Sequence, residues 1–259
     1  MKILLIGYGY VGKAVAHALN YKHDVVIVDP KYTSATIADH YDAEAAIVCV
    51  PTPYSTNSGC DATILCDVLT QIPIQIPVLV KSTVTPAVVE SFDGIFKDHW
   101  IVYSPEFLRA KTANQDFYNQ KYVVLGGDDT DCFWQDLLQE CLPNCNLVFN
   151  CTAKEAAMIK YASNSFLALK TSFFNQIYDL CEAGNMDFDS IRQILTQDTR
   201  IGADHSMVPG QDGERGWGGH CFPKDTVSFV KYSYSLNKPL TIVEEAIKYN
   251  KTVRKDIDF

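Results

Sequence analysis

The stretch "KILLIGYGYVGKAVAHAL" (residues 2–19) decides the fold. A short apolar run leads into Gly7-x-Gly9-x-x-Gly12, and apolar residues at helical spacing follow. Strand, tight glycine turn and helix in that order place free helix N-terminal amides where a pyrophosphate can bind. A second apolar run, "DVVIVD" (24–29), ends in Asp29, 22 residues after Gly7. An acid at that point is set for ribose hydroxyls. It repels a 2′-phosphate, so the pattern favours NAD over NADP, with Lys31 working against that preference.

Outward from this unit, short apolar runs recur: "AAIVCV" (45–50), "PVLVKST" (77–83), "WIVYS" (100–104), "YVVLG" (122–126) and "NLVFN" (146–150). Unalternated runs of this length suit parallel strands buried on both faces. With helical or loop stretches between them, they predict an α/β fold. It is a Rossmann-type, doubly wound, mainly parallel sheet over residues 1–150, followed by an all-helical domain over 151–259. Ligands in such sheets bind beyond the strand C-termini. Thr52 in "VPTP", Thr83 in "KST" and Glu106 in "YSPEF" stand there. Each alone reads as a strand-ending turn; three at one sheet edge read as a ligand site.

Composition excludes several classes. With 47% hydrophobic and 20% charged residues the 259-residue chain is ordinary globular protein, long enough for one large or two modest domains. A net charge of −9 argues against a nucleic-acid partner, though not against a small phosphate-bearing ligand. No apolar run is long enough for a membrane span, and the N-terminal one is too short for a signal peptide. Nine cysteines follow no framework spacing, so reduced thiols and a cytoplasmic setting are expected. No metal site is expected.

"TAKEAAMIKYASNSFLALKTSFFNQIYDLCEAG" (152–184) opens with the capping box Thr152-x-x-Glu155 and closes on Gly184. The predicted helix, Ala153 to Ala183, is about 45 Å long at 1.5 Å per residue. That exceeds what a small domain covers, so a second subunit is expected against its apolar face. Lys160 and Asn164 share one face at i, i+4; from spacing alone they read as solvated surface. A second helix lies within 185–198, with Asp187 or Asp189 near its start, and two more span about 224–236 and 240–254. Between them runs a long glycine-rich loop, and loops of that length inside a compact domain are functional or disordered. It ends in "GWGGHCFPKDT" (216–226). From these residues alone Cys221 is either a small apolar filler in a loop or a nucleophile activated by a neighbouring lysine.

Taken together and in order, "GYGYVG" with Asp29, "VPTP", "KSTV", "SPEFL", "IKYASNSFLALK", "TRIG" and "GGHCFPKD" resemble the UDP-glucose/GDP-mannose dehydrogenase family over nearly the whole chain. Members oxidise the primary alcohol of a sugar nucleotide to a carboxylate in two NAD-dependent steps. The resemblance implies that Cys221 captures the aldehyde and carries a thioester, that Lys160 and Asn164 hold the developing oxyanion, and that Asp225 moves protons through water. Glu106 with Thr83 serves thioester hydrolysis. It implies cofactor contacts from Gly7, Gly9, Tyr10, Val11, Gly12, Asp29, Lys31, Thr52, Pro53 and Thr83. Substrate contacts are implied for Phe107, Leu108, Lys160, Asn164, Gly218 and Lys224, and for Arg200, which in such enzymes reaches across a dimer interface. A homodimer through the long helix is implied as well.

Three departures bear on substrate and completeness. Ala110 stands where the family pattern offers a second glutamate, and His220 precedes Cys221 in the manner of UDP-N-acetylhexosamine dehydrogenases. "PEFL" and "FPKD" point back to UDP-glucose. The family's C-terminal nucleotide-sugar-binding domain is not among these residues. A compact UDP-glucose 6-dehydrogenase is the first expectation. The alternatives are an N-acetylhexosamine or GDP-mannose enzyme, a chain that needs a separate C-terminal domain, and a chain that only binds NAD and a partner. A two-electron hydroxyacid-type dehydrogenase shares the plan of nucleotide sheet and long helix but has no need of a cysteine loop.

Overall fold

The computed structural model describes residues 1–57, 59–219 and 221–255. The chain forms two compact units: Met1–Pro53 with Cys60–Lys160, and Tyr54–Gly59 with the chain from Tyr161 on.

The first unit is a seven-stranded sheet in the order β2-β1-β3-β4-β5-β6-β7. Its strands are β1 (Lys2–Ile6), β2 (Asp24–Val28), β3 (Ala45–Val48), β4 (Pro77–Val80), β5 (Trp100–Tyr103), β6 (Tyr122–Gly126) and β7 (Leu147–Cys151). All neighbours are parallel except β5 and β6, which run antiparallel and share the single register pair Tyr103↔Gly126. Alternating residues of each strand feed two cores, because strand side chains point to opposite faces with a period of two. Ile3, Leu5, Ile47, Leu79 and Val123 pack under α1 (Tyr10–Leu19), α4 (Ala113–Tyr118) and α5 (Phe133–Cys141). Leu4, Ile6, Val48, Val78 and Val80 pack under α2 (Thr63–Gln71) and α3 (Pro86–Ile95). The Rossmann-type, mainly parallel sheet expected above is therefore present.

Two strand expectations are corrected. The β5–β6 pairing is antiparallel, since an apolar run carries no sign of its direction. β7 is not buried on both faces: Leu147 is 54% and Phe149 51% exposed, because β7 is the edge strand.

The long helix α6 spans Ala153–Ala183, as predicted. Its capping box forms: the Glu155 carboxylate accepts from the Thr152 amide and hydroxyl, both at 2.8 Å, and Thr152 Oγ1 accepts the Glu155 amide at 3.2 Å. At the other end Gly184 follows the last helical residue, but the left-handed position falls to Asn185 (φ 51°). The Met186 amide then bonds the Cys181 carbonyl at 2.8 Å, closing the end.

The second unit contains α6 from Tyr161 on, α7 (Phe188–Leu195), α8 (Phe222–Ser235) and α9 (Thr241–Val253). Asp187 caps α7 by accepting the Asp189 and Ser190 amides. Ser228 Oγ on α8 donates to the Gly59 carbonyl at 2.6 Å, and Lys231 Nζ to those of Ser55 and Thr56, which seats these three residues in this unit.

Candidate active site

In the first unit the glycine turn forms a cradle. Gly7 sits at φ +91°, and a Cβ there would lie 2.6 Å from the Cys49 carbonyl oxygen. A Cβ on Gly12 would run into the Gly7 carbonyl, so both positions exclude any side chain. Gly9 is different: it caps α1, no side chain caps that helix, and a Cβ there meets nothing within 4 Å. Uncapped first-turn amides behind an open glycine suit an incoming phosphate. Asp29 is anchored beside them, its two oxygens accepting the Tyr8 amide at 2.7 Å and the Lys31 amide at 2.9 Å. The Tyr10 and Val11 side chains pack partly against the core.

The C-terminal ends of β3, β4 and β5 are laced together by side chains. Thr52 Oγ1 donates to the Thr83 carbonyl at 2.6 Å, and Ser82 Oγ to that of Val50 at 2.8 Å. Beyond them lies a buried ion pair. Lys160 Nζ meets Glu106 Oε1 at 3.1 Å and donates to the Glu106 carbonyl at 2.5 Å, with the two side chains only 3% and 4% exposed. Glu106 Oε2 accepts the Leu108 amide at 2.7 Å, and the Phe107 ring lies 5.5 Å from Lys160 Nζ. Lys160 and Asn164, read from spacing as solvated surface, are both buried. Charges taken out of water persist only when paired and hydrogen-bonded, so this arrangement is built rather than incidental.

In the second unit Cys221 immediately precedes α8 and is half-buried. The Asp225 amide bonds the Cys221 carbonyl at 2.8 Å. The fully buried Asp225 carboxylate accepts Asn164 Nδ2 at 2.6 Å and pairs with Lys224 Nζ at 2.7 Å. As a carboxylate in the first turn of a helix it lies at the favourable end of the dipole.

The loop before Cys221 is held by groups that the sequence reading missed. Asn250 accepts the Trp217 amide at 2.9 Å and donates to the Trp217 carbonyl at 2.8 Å, and the Trp217 indole donates to Ser172 Oγ at 2.9 Å. Asn175 accepts the Gly216 amide at 3.1 Å, and Asp179 accepts Arg215 Nη2 at 2.6 Å and the Tyr249 hydroxyl at 2.7 Å. Burial and the Asp179 carboxylate push the Tyr249 phenol well above its ordinary value. Gly218 admits the Arg254 guanidinium, which would collide with a Cβ there. None of these partners left a local signal, because each lies more than thirty residues from the loop in sequence.

Not every expected residue joins these clusters. Arg200 is exposed, with its guanidinium on Asp198 at 2.5 Å. Pro53 and Ala110 lie at the surface. His220 lies outside the described residues.

Residues 30–144 match the UDP-glucose/GDP-mannose dehydrogenase family, NAD binding domain, and residues 154–252 match the central domain of the same family. The chain belongs to this family. NAD is its cofactor, in keeping with the glycine cradle and Asp29. The UDP-glucose 6-dehydrogenase of Rhizobium meliloti is 29% identical, matching 96% of this chain and 67% of its own length. A UDP-glucose 6-dehydrogenase of Bacillus subtilis is 28% identical over 80% of this chain and 48% of its own. The chain thus spans between about half and two thirds of these curated relatives. In structure it is similar to a UDP-glucose dehydrogenase from Pyrobaculum islandicum, with a TM-score of 0.84, 24% identity and coverage of 97% of this chain and 68% of that one; this likeness shows the fold. Among the described residues no helix is long and apolar enough to cross a membrane.

Proposed function

We propose that this family member oxidises the C6 alcohol of a nucleotide sugar, UDP-glucose first, to the uronate. Residues 1–150 would hold NAD and 151–259 would supply the catalytic cysteine. NAD, held by the Gly7–Gly12 turn and Asp29, would supply the hydride acceptor for each of the two oxidations. Cys221 as thiolate adds to the aldehyde carbon, and the thiohemiacetal loses a proton and a hydride to become a thioester. Water then adds, the C–S bond breaks, and Cys221 leaves as thiolate while the carboxylate is released. Lys160 and Asn164 donate to the oxygen that gains charge at each stage. Asp225 takes protons through water, and Glu106 with Thr83 orients the hydrolytic water. The start of α8 favours negative charge on Cys221.

The observation that carries this reading is the burial of Glu106, Lys160, Asn164 and Asp225, each at 6% exposure or less. A helix surface or a loop turn has no use for such groups away from water. The test follows absorbance at 340 nm with NAD and UDP-glucose, UDP-N-acetylglucosamine, UDP-N-acetylmannosamine or GDP-mannose. Each is run with and without the C-terminal domain of a full-length relative. Two NADH per sugar, and no uronate from Cys221→Ser, are expected. Continued formation of uronate by Cys221→Ser would sink the covalent step, and silence with every substrate would sink the enzyme. We further propose a homodimer through α6, supported by Phe166, Phe173 and Leu180, which stand exposed at seven-residue intervals along it.

A further inference from the structure

Lys81 directly follows β4, at the edge where the sheet's ligand side begins. Its side chain is buried, yet it carries an ammonium, which donates to the Ser104 carbonyl at 2.9 Å and to Ser104 Oγ at 3.2 Å. The Phe117 ring lies 5.5 Å from Nζ. An aliphatic chain of the same length would fill this volume without the cost of a buried charge. Ser104 is itself fully buried and stands two residues before Glu106. Pro105 between them fixes its own φ, so an orientation imposed on Ser104 passes with little slack to Glu106. Three titratable groups face Lys81: Cys49 beyond β3, Glu106 beyond β5, and Lys160 on α6. Burial pushes the Cys49 thiol up to about 12, which leaves it neutral. Of the other two, Lys160 Nζ lies 3.1 Å from the Glu106 carboxylate.

We propose that Lys81 is a positioning residue for Glu106. By gripping Ser104 from the β4 side it fixes the Ser104–Pro105–Glu106 segment, and it adds a second positive charge beside the carboxylate. Thioester hydrolysis is the step that depends on it; that last point rests on the role given to Glu106 above. Lys81 itself touches neither substrate nor the reacting carbon in this scheme.

The test has a substrate-free arm and a kinetic arm. In the protein alone, the side-chain carboxyl carbon of Glu106 is followed by 13C NMR, its resonance assigned with Glu106→Gln. Lys81→Met is expected to move that resonance, and Ser104→Ala to move it less and in the same direction. Ser104→Ala keeps the carbonyl grip and so decides the matter if Lys81→Met does not fold. An unmoved resonance in folded variants overturns the proposal. In the kinetic arm, with UDP-glucose and NAD, Lys81→Met is expected to keep its first-turnover NADH burst and KM. Steady-state turnover falls about 10- to 100-fold, the scale of a small misplacement of a reacting group, and a mass adduct builds up on Cys221. Lys81→Arg restores turnover in part. Equal loss of burst and steady state, in proportion to folded fraction, marks a structural role only and overturns it. A wild-type chain inactive on every nucleotide sugar overturns the assigned reaction instead, and the NMR arm alone then judges Lys81.

Discussion

Asn250 does with one carboxamide what a neighbouring strand does with its backbone: it satisfies both the amide and the carbonyl of Trp217. Removing it strands two buried backbone groups at about 1–3 kcal/mol each. Asn250→Ala is therefore expected to lose about 2–6 kcal/mol in urea unfolding. Iodoacetamide should also alkylate Cys221 faster, because the segment leading to it loses its anchor. Unchanged alkylation would show that the clamp serves only the fold. Lys81 gives a pH prediction with a definite sign. Burial, the largest cause, brings it down to about 8 from 10.5. Below pH 8 both folded and unfolded chains hold the proton, and the folded state bears the full cost of the buried charge. Between about 8 and 10.5 the unfolded chain binds the proton more tightly, so this residue raises stability as pH climbs. Urea midpoints of wild type relative to Lys81→Met should rise from pH 7 to pH 10, and parallel curves would refute the assignment.

Helix ends and helix faces carry the next two expectations. Gly9 at the start of α1 has φ −71° and open space where a side chain would go. Gly9→Val is expected to fold with the wild-type melting temperature and to block the phosphate approach. NAD at about 100 times its Kd should stabilise the wild type by about 2.7 kcal/mol and the variant by nothing measurable. A variant that still gains stability from NAD would move the binding site elsewhere. On α6, Phe173→Asp tests the seven-residue stripe by sedimentation. The wild type is expected to be a dimer and the variant a monomer, and a monomeric wild type ends that proposal. The ends of α6 were largely legible because a capping box is a local signal. The choice of Asn185 over Gly184 as the left-handed residue was not, since both tolerate that conformation.

For the whole molecule, what could be read and what could not divide by the sequence distance of the partners. Apolar runs located all seven strands, and the glycine motif with Asp29 located the cofactor cradle, because each is written within some thirty residues. Strand direction at β6, the exposure of β7 and the burial of Lys160 all depend on chain far away in sequence. The grip of Lys81 on Ser104, 23 residues on, and that of Asn250 on Trp217, 33 residues back, left no local pattern at all. Polar residues that look like surface in one dimension become interior once the strand ends converge.

The lone register pair between β5 and β6 has a mechanical meaning. Five strands on one side and two on the other are each joined by several rungs, but a single rung spans the gap. Under tension in an optical trap, with handles at residues 2 and 147, the sheet should tear along that line first. The β6–β7 panel should peel away as a block while the nucleotide cradle stays whole.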